Sequence, residues 1–424
     1  MANNTDIELQ RAVIYSVYVR NHTPEGTFRA VIPDLGRIKA LGTDIVWLMP
    51  IHPIGIAARK GTLGSPYANM DYRAVNPEYG TLEDFKVLCD AVHKAGMKII
   101  IDVVYNHTSP DSVLWKTHPE FFYKRPDGRP GNHVGDWTDI IDLDYSNRGL
   151  WEYQAESLCY WAQFVDGFRC DVASFVPVEF WKMARERVER VRPGCIWLAE
   201  SVHRSFGDYC RSVGMYSAKD SELFEAFDIE YEYDVREAFD AYFDGSAPLS
   251  TYMELISFQD FAYPARYNKL RFLENHDQPR IASRVREKDH LEAFTAMLYF
   301  IKGATLLYAG QENAVDHLPA LFDKDTVDFD TGADLSPLMR RLYEIKKTAL
   351  EPSDSFTASA IGDTAVMYRR GESVKLGVFP LRCEKGEIPV SVPDGEYENL
   401  ISGETVRVHS GKLNSEGKPI ILKL

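Results

Sequence analysis

The sequence predicts an α/β protein: an eight-stranded β/α (TIM) barrel with a short inserted domain after strand three and a C-terminal antiparallel β-sandwich. Three observations predict it. From about residue 12 to 350, β-branched and aromatic runs alternate eight times with segments of helical spacing, the pattern of parallel strands joined by crossover helices. The third run, Lys98 to Val104, is almost wholly apolar, as a strand buried on both faces must be. After about Glu351 the helical pattern stops, and short strand-like runs with turn residues between them continue to Leu424. A doubly wound open sheet is the second choice, but no G-x-G-x-x-G opens any helix.

In chain order, the first strands are Ala12 to Val19 and Thr43 to Ile51, with one helix, Phe28 to Leu41, between them and Gly42 at its end. The next helix has the clearest signals. Thr81-Leu82-Glu83-Asp84 reads as a capping box. The apolar stripe Leu82, Phe85, Leu88, Val92, Ala95 follows, and Gly96 stands where a helix-ending glycine belongs. Strands four to eight read as Asp166–Cys170, Cys195–Ala199, Ala226–Ile229, Lys269–Leu273 and Ala304–Tyr308, with helices such as Val178 to Val191 and Asp289 to Ile301 between them. One long stretch, Thr108 to Ser146, is polar and rich in Pro, Gly, Asp and aromatics. A loop of that length within a compact domain is usually functional, so it is read as an inserted domain. The expected organisation is residues 1–107 and 147–350 for the barrel, 108–146 for the insertion and 351–424 for the sandwich.

Composition bounds the function. Hydrophobic residues make up 45% and charged residues 26%, which is ordinary for a soluble globular chain. The net charge of −15 argues against nucleic acid or an anionic membrane surface as a partner. Met1 to Gln10 has no apolar core of a signal peptide, and the longest apolar run, Phe294 to Gly310, is interrupted and too short to span a bilayer. Six cysteines contain no C-x-x-C pair, and Cys170 and Cys195 fall in core strands. The expectation is a cytoplasmic protein in a reducing compartment.

Catalytic groups of a barrel sit at the C-terminal ends of its strands. Strand three ends Asp102-Val103-Val104-Tyr105-Asn106-His107, strand four Arg169-Cys170-Asp171, strand five Leu198-Ala199-Glu200 and strand seven Glu274-Asn275-His276-Asp277. Residues two apart on a strand share a face, so Arg169 and Asp171 project together, the guanidinium orienting the carboxylate. Carboxyls converging on one pocket repel, so that one of them retains a proton. A charged nucleophile beside a protonated acid is what glycoside hydrolysis requires.

At these residues the chain resembles the α-amylase family of glycoside hydrolases. The stretches DVVYNH, GFRCDVA, LAES and FLENHD are similar to that family's four signature regions, in order and on the expected strands. The resemblance implies that Asp171 is the nucleophile, Glu200 the general acid/base and Asp277 a third carboxylate binding sugar hydroxyls. Arg169, His107 and His276 would line the same subsite, Tyr67 would stack on the sugar being cleaved, and Asp102 would support the barrel. By the same resemblance Asn106 and Asp142 are candidate calcium ligands, with no cofactor required for the chemistry. Ser174-Phe175 stand where the family has Lys-His, and the Asp-rich metal loop of some members after strand one is absent.

The implied activity is retaining hydrolysis of α-1,4-glucosidic bonds in starch, glycogen or malto-oligosaccharides. The alternatives are an exo-acting α-glucosidase, maltogenic amylase or transglucosidase of the same family, and a non-catalytic transporter partner. Such partners typically lose catalytic carboxylates and carry a membrane helix, whereas this chain has all three acids. Exo-acting 1,6-glucosidases place an Asp just before the loop Tyr, while here Gly61-Thr62-Leu63-Gly64-Ser65-Pro66 precede Tyr67. Two glycines and no carboxylate predict room for a chain to continue, hence internal cutting; against this stands the short insertion, whose Trp137, His133 and Arg129 would wall the cleft from the other side.

Overall fold

The computed structural model describes residues 2, 5–135 and 137–424. Eight strands, β1 (Val13–Val17), β2 (Ile45–Leu48), β3 (Lys98–Val103), β4 (Gly167–Cys170), β5 (Ile196–Ala199), β6 (Ile229–Tyr231), β7 (Lys269–Arg271) and β8 (Ala304–Tyr308), form a closed barrel. Neighbours follow chain order and pair in parallel, and β8 returns to β1 with Thr305 opposite Val13.

The period-2 alternation of each strand sorts its residues between two cores. Ile14, Trp47, Ile100, Leu198 and Leu306 fill the barrel interior, while Val13, Val46, Ile101, Phe168 and Leu307 face the surrounding helices. On β4 the outward residues are Phe168 and Cys170, which leaves Gly167 and Arg169 facing inward. A Cβ on Gly167 would meet the Ile196 carbonyl oxygen. Only glycine lets β4 and β5 approach so closely, and this brings the ends of the two strands together.

Helix α1 (Leu82–Lys94) starts as expected: Thr81 Oγ1 accepts from the Asp84 N–H at 3.2 Å and Asp84 Oδ2 from the Thr81 N–H at 2.9 Å. Gly96 follows with φ +72°. Two expectations differ from the structure. The segment read as one helix from Phe28 to Leu41 is divided into Phe28–Val31, a 3-10 turn Ile32–Asp34 and Leu35–Ala40, because Pro33 has no N–H to donate and its ring obstructs the preceding turn. Strand six lies at Ile229–Tyr231 instead of Ala226–Ile229. Ala226 and Phe227 belong to the tail of a helical turn, their N–H groups bonded to the Leu223 carbonyl. A short apolar run does not distinguish a buried turn from a strand.

Between β3 and its helix, residues 108–146 form short helical turns and a two-residue antiparallel ladder, His107–Thr108 against Ile141–Asp142. The C-terminal strands are β9 (Ser355–Ile361), β10 (Thr364–Arg370), β11 (Val374–Pro380), β12 (Lys385–Pro389), β13 (Gly395–Glu398), β14 (Thr405–His409), β15 (Lys412–Glu416) and β16 (Ile420–Lys423). They make two antiparallel sheets, ordered β9-β10-β11-β16 and β12-β15-β14-β13, packed over Val366, Leu376, Val378, Ile388, Val408 and Leu413. The opposite face of the first sheet, with Phe356, Met367 and Phe379, joins the helix core of the barrel. The six cysteines are all unpaired. Among the described residues no helix is long and apolar enough to cross a membrane.

Candidate active site

Arg169 is fully buried inside the barrel and organises the site. It stands opposite Asp102 in the β3–β4 register, and its Nη1 donates to both Asp102 oxygens, at 2.9 and 3.0 Å, and to Asp171 Oδ1 at 2.9 Å. Its Nη2 lies 2.9 Å from Glu200 Oε1, an ion-pair distance outside hydrogen-bond geometry. One guanidinium therefore touches three carboxyls. The turns that follow β4 and β5 are joined as well. Val172, with φ +35° in the left-handed region, donates its N–H to Glu200 Oε2 at 2.9 Å, and the Ala173 N–H donates to the Glu200 carbonyl at 2.9 Å. A β-branched residue in that conformation is strained, and the strain is held where the turns carrying Asp171 and Glu200 meet.

On the opposite side, His276 Nε2 lies 2.9 Å from Asp277 Oδ2 and 2.7 Å from the Tyr67 hydroxyl. The His276 and Tyr67 rings stack at 5.4 Å, and the Tyr67 hydroxyl donates to Asp102 Oδ2 at 3.2 Å. Asp102, expected to support the barrel, thus links Arg169 to Tyr67.

Burial separates the protonation behaviour of these groups. Desolvation, reinforced by the charges of Asp171 and Asp277, pushes Glu200 up to about 7 against the pull of Arg169. Asp171 and Asp102 are pushed by burial to about 6. Asp277 moves the other way: burial would raise it, but the charge and hydrogen bond of His276 outweigh that and lower it. His276 is raised in turn, since Asp277 overcomes its desolvation. Burial lowers His107 and favours its neutral form.

The carboxyls open on a cleft of about 380 Å³. Tyr67, His107, Asp171, Glu200 and Asp277 line it. Arg169 and His276, expected to touch the sugar, lie behind that surface and hold the groups that do. Of the three insertion residues expected in the wall, Trp137 lines the cleft. His133 turns instead to Asp142 and stacks on Tyr123, and the exposed Arg129 pairs with Asp127.

Asn106 and Asp142 lie close together, with the Leu143 N–H on the Asn106 carbonyl and His107 opposite Asp142. Asp142 Oδ2, however, accepts the His133 N–H at 2.7 Å and faces His133 Nδ1 at 3.0 Å, while the Asn106 amide lies 3.2 Å from His107 Nδ1. Among the described residues no three His, Cys, Asp or Glu side chains converge for a metal. Calcium takes six to eight oxygens, and of the Asp142 carboxylate Oδ2 already accepts the His133 N–H.

The space expected beside Gly61 and Gly64 is filled. A Cβ on Gly61 would lie 2.7 Å from Phe322 Cβ, and one on Gly64 2.8 Å from Ile54 Cγ2. The sequence reading also missed Lys60, Asp139, His203, Phe206, Tyr233 and Phe322, all of which line the cleft. Tyr233 and His203 had a signal, being aromatic rings just past strand ends. Lys60 and Asp139 had none, since nothing local joins a strand-two loop to the insertion.

A family model described as the α-amylase catalytic domain matches residues 3–127 and 133–336, and one for the bacterial α-amylase C-terminal domain matches residues 359–422. An α-amylase structure from Lactobacillus plantarum is 44% identical with a TM-score of 0.95, covering 99% of this chain and 100% of that one. A noncanonic maltogenic α-amylase, AmyB from Thermotoga neapolitana, is 33% identical with a TM-score of 0.87, covering 98% of this chain and 99% of that one. The α-1,4-glucan:maltose-1-phosphate maltosyltransferase of Myxococcus xanthus is 34% identical over 206 residues, 44% of this chain and 31% of that protein. The chain spans about a third of the length of the curated maltosyltransferases it matches.

Proposed function

The chain belongs to the α-amylase family of glycoside hydrolases, and on that premise we propose that it cleaves α-1,4-glucosidic bonds of starch, glycogen or maltodextrins by double displacement with retention. The observation that carries this reading is the single Arg169 guanidinium in contact with both Asp171 and Glu200, two carboxyls that open on the same cleft. Being bracketed by one planar cation favours the short separation, about 5–5.5 Å, of retaining enzymes.

Asp171, the more acidic of the two and oriented by Arg169, attacks the anomeric carbon. Glu200, pushed up to about 7, donates its proton to the glycosidic oxygen as that bond breaks. A glycosyl ester on Asp171 and a shortened glucan result. Glu200, now ionised, takes a proton from water as the water attacks the ester, which frees Asp171 and restores the acid. Asp277 remains ionised beside His276 and accepts hydrogen bonds from sugar hydroxyls, while Tyr67 offers its ring face. Each step uses side chains of this chain alone.

A second reading, an exo-acting or glycosyl-transferring member of the family, has support in the maltogenic and maltosyltransferase relatives. Transfer differs only in that a sugar hydroxyl replaces water at the ester.

The test is reducing-end release from soluble starch and maltoheptaose. Wild type should be active on both. Glu200→Gln should lose far more on maltoheptaose than on an activated aryl α-maltoside, whose leaving group needs little protonation. Absence of reducing-end release from every α-glucan would overturn the hydrolase reading.

A further inference from the structure

An ion pair lines the cleft. Lys60 Nζ, in the loop after β2, lies 2.8 Å from Asp139 Oδ1 of the insertion, and the Asp139 side chain is only 5% exposed. Both line the cleft beside Phe322 from the loop after β8, and the ammonium sits 5.9 Å from that ring's centre. The β2 loop is fastened to the β8 loop. Thr62 donates its N–H and hydroxyl to Asp323 Oδ1 at 2.8 and 2.6 Å, and the Leu63 and Gly64 N–H groups donate to the Phe322 carbonyl. The buried Arg20 donates to the Gly64 and Leu321 carbonyls at 3.0 and 3.1 Å, joining the two loops from below. Lys60 therefore projects from a loop held on both sides.

Topology assigns it to one half of the substrate. A general acid stands on the leaving-group side of the bond it protonates, and Glu200 follows β5. The barrel closes in chain order, so β1 lies across from β5, flanked by the loops after β2 and β8. On the hydrolase reading the departing part of the glucan would run out past Glu200 over Val202, His203 and Phe206. The part that becomes attached to Asp171 would run the opposite way, toward Lys60 and Phe322.

We propose that the Lys60–Asp139 pair is the stop for the non-reducing end of the chain: it closes the cleft a short distance beyond Tyr67, so the enzyme takes an α-glucan by that end and releases a short product of fixed length. Lys60 is 38% exposed on its side chain, which leaves ammonium N–H groups free to donate to the hydroxyls of a terminal sugar. A chain continuing past this point would have to part the ions and strand a buried carboxylate, and that cost falls on internal binding alone. The proposal rests on the hydrolase reading above and specifies where along the chain that activity cuts.

Maltoheptaose labelled at its reducing end, together with dye-linked insoluble starch, tests it on wild type, Lys60→Ala, Asp139→Ala and Lys60→Arg, each checked for an unaltered melting midpoint. Wild type should release unlabelled glucose or maltose from the start and little dye. Either alanine variant should yield longer unlabelled products, and dye release per reducing end should rise roughly fivefold, as loss of one ion pair allows. Lys60→Arg, which retains the pair, should restore the wild-type pattern. Random internal cuts by wild type, or an unchanged cleavage pattern in well-folded alanine variants, would overturn this proposal and leave the hydrolase reading standing. Failure to hydrolyse any α-glucan would overturn both.

Discussion

Arg169 on β4 and Lys269 on β7 are both fully buried, and each stands among three carboxyls. Arg169 faces Asp102, Asp171 and Glu200, and Lys269 faces Asp220, Glu230 and Asp234. Burial raises carboxyl groups in both clusters. The surroundings are what differ. Lys269 donates further to the Tyr231 carbonyl at 3.2 Å, and the rings of Tyr263 and Phe224 cover it at 4.6 and 5.4 Å. Rings surround Arg169 as well, those of Trp47, Tyr231 and Tyr67 at 5.2, 5.3 and 5.6 Å, but its Nε is unpartnered. Asp171 and Glu200 open on the cleft shared with Tyr67 and Asp277, whereas Asp220 and Asp234 line a separate cavity of about 400 Å³. On the proposed function, a buried cation among acids supplies stability in one place and chemistry in the other. The deciding feature is whether the acids meet a substrate.

The comparison breaks first at the nucleophile. Asp171→Asn should lower kcat/KM on maltoheptaose by about 10⁴-fold or more while the protein still folds, and residual turnover near wild type would remove Asp171 from its role. The matching change at the other cluster should do the reverse. Lys269→Met leaves the buried Glu230 and the half-buried Asp220 and Asp234 without their cation, so stability should fall by about 3–5 kcal/mol. kcat per folded molecule should stay within roughly twofold of wild type, since Lys269 touches none of the carboxyls that open on the cleft. Denaturant melts alongside active-site titration would show it. A Lys269 variant that folds normally but loses catalysis would refute the division.

Glu200→Gln gives a smaller effect with a distinctive sign. Burial pushes the folded Glu200 up to about 7 from a glutamate's ordinary 4.5, so the native state retains its proton longer than the unfolded chain does. Its ionisation therefore costs stability progressively as pH rises from about 4.5, and the cost is complete above about 7. The variant should be more stable than wild type at pH 8, by on the order of 1–3 kcal/mol, with the gain vanishing near pH 4. Equal stabilities at pH 8 would mean that Glu200 is not held against its charge. The smallest effect is in the rate profile. kcat/KM should be bell-shaped, rising as the set around Asp171 ionises near 6 and falling as Glu200 deprotonates near 7. These limbs belong to the coupled set, and a flat profile across that range would contradict the assignment.

Much of the barrel was legible in the sequence because its signals are local and repeated: buried runs, caps and intervening helical spacing. The strand ends then placed Arg169, Asp171, Glu200 and Asp277 together without further information. Pro33 marked the break in the first helix, yet the surrounding helical spacing concealed it. Strand six was displaced because Ala226 and Phe227 are as apolar in a turn as in a sheet. Lys269 with Asp220, Glu230 and Asp234 gave no pattern, since these positions meet only once β6 and β7 are paired. The pair Lys60–Asp139 was equally invisible. The two glycines nearby suggested open space, when a side chain at Gly61 would meet the Phe322 loop and one at Gly64 would meet Ile54 and Arg59.

The central claim, that Asp171 attacks while Glu200 protonates within the grip of one Arg169, is tested most directly by proton NMR of the sugar released in the first moments of maltoheptaose hydrolysis. Two displacements at the same carbon predict the α-anomer at first, with β appearing only as mutarotation proceeds. An initial β-anomer would mean a single displacement by water and would contradict the account.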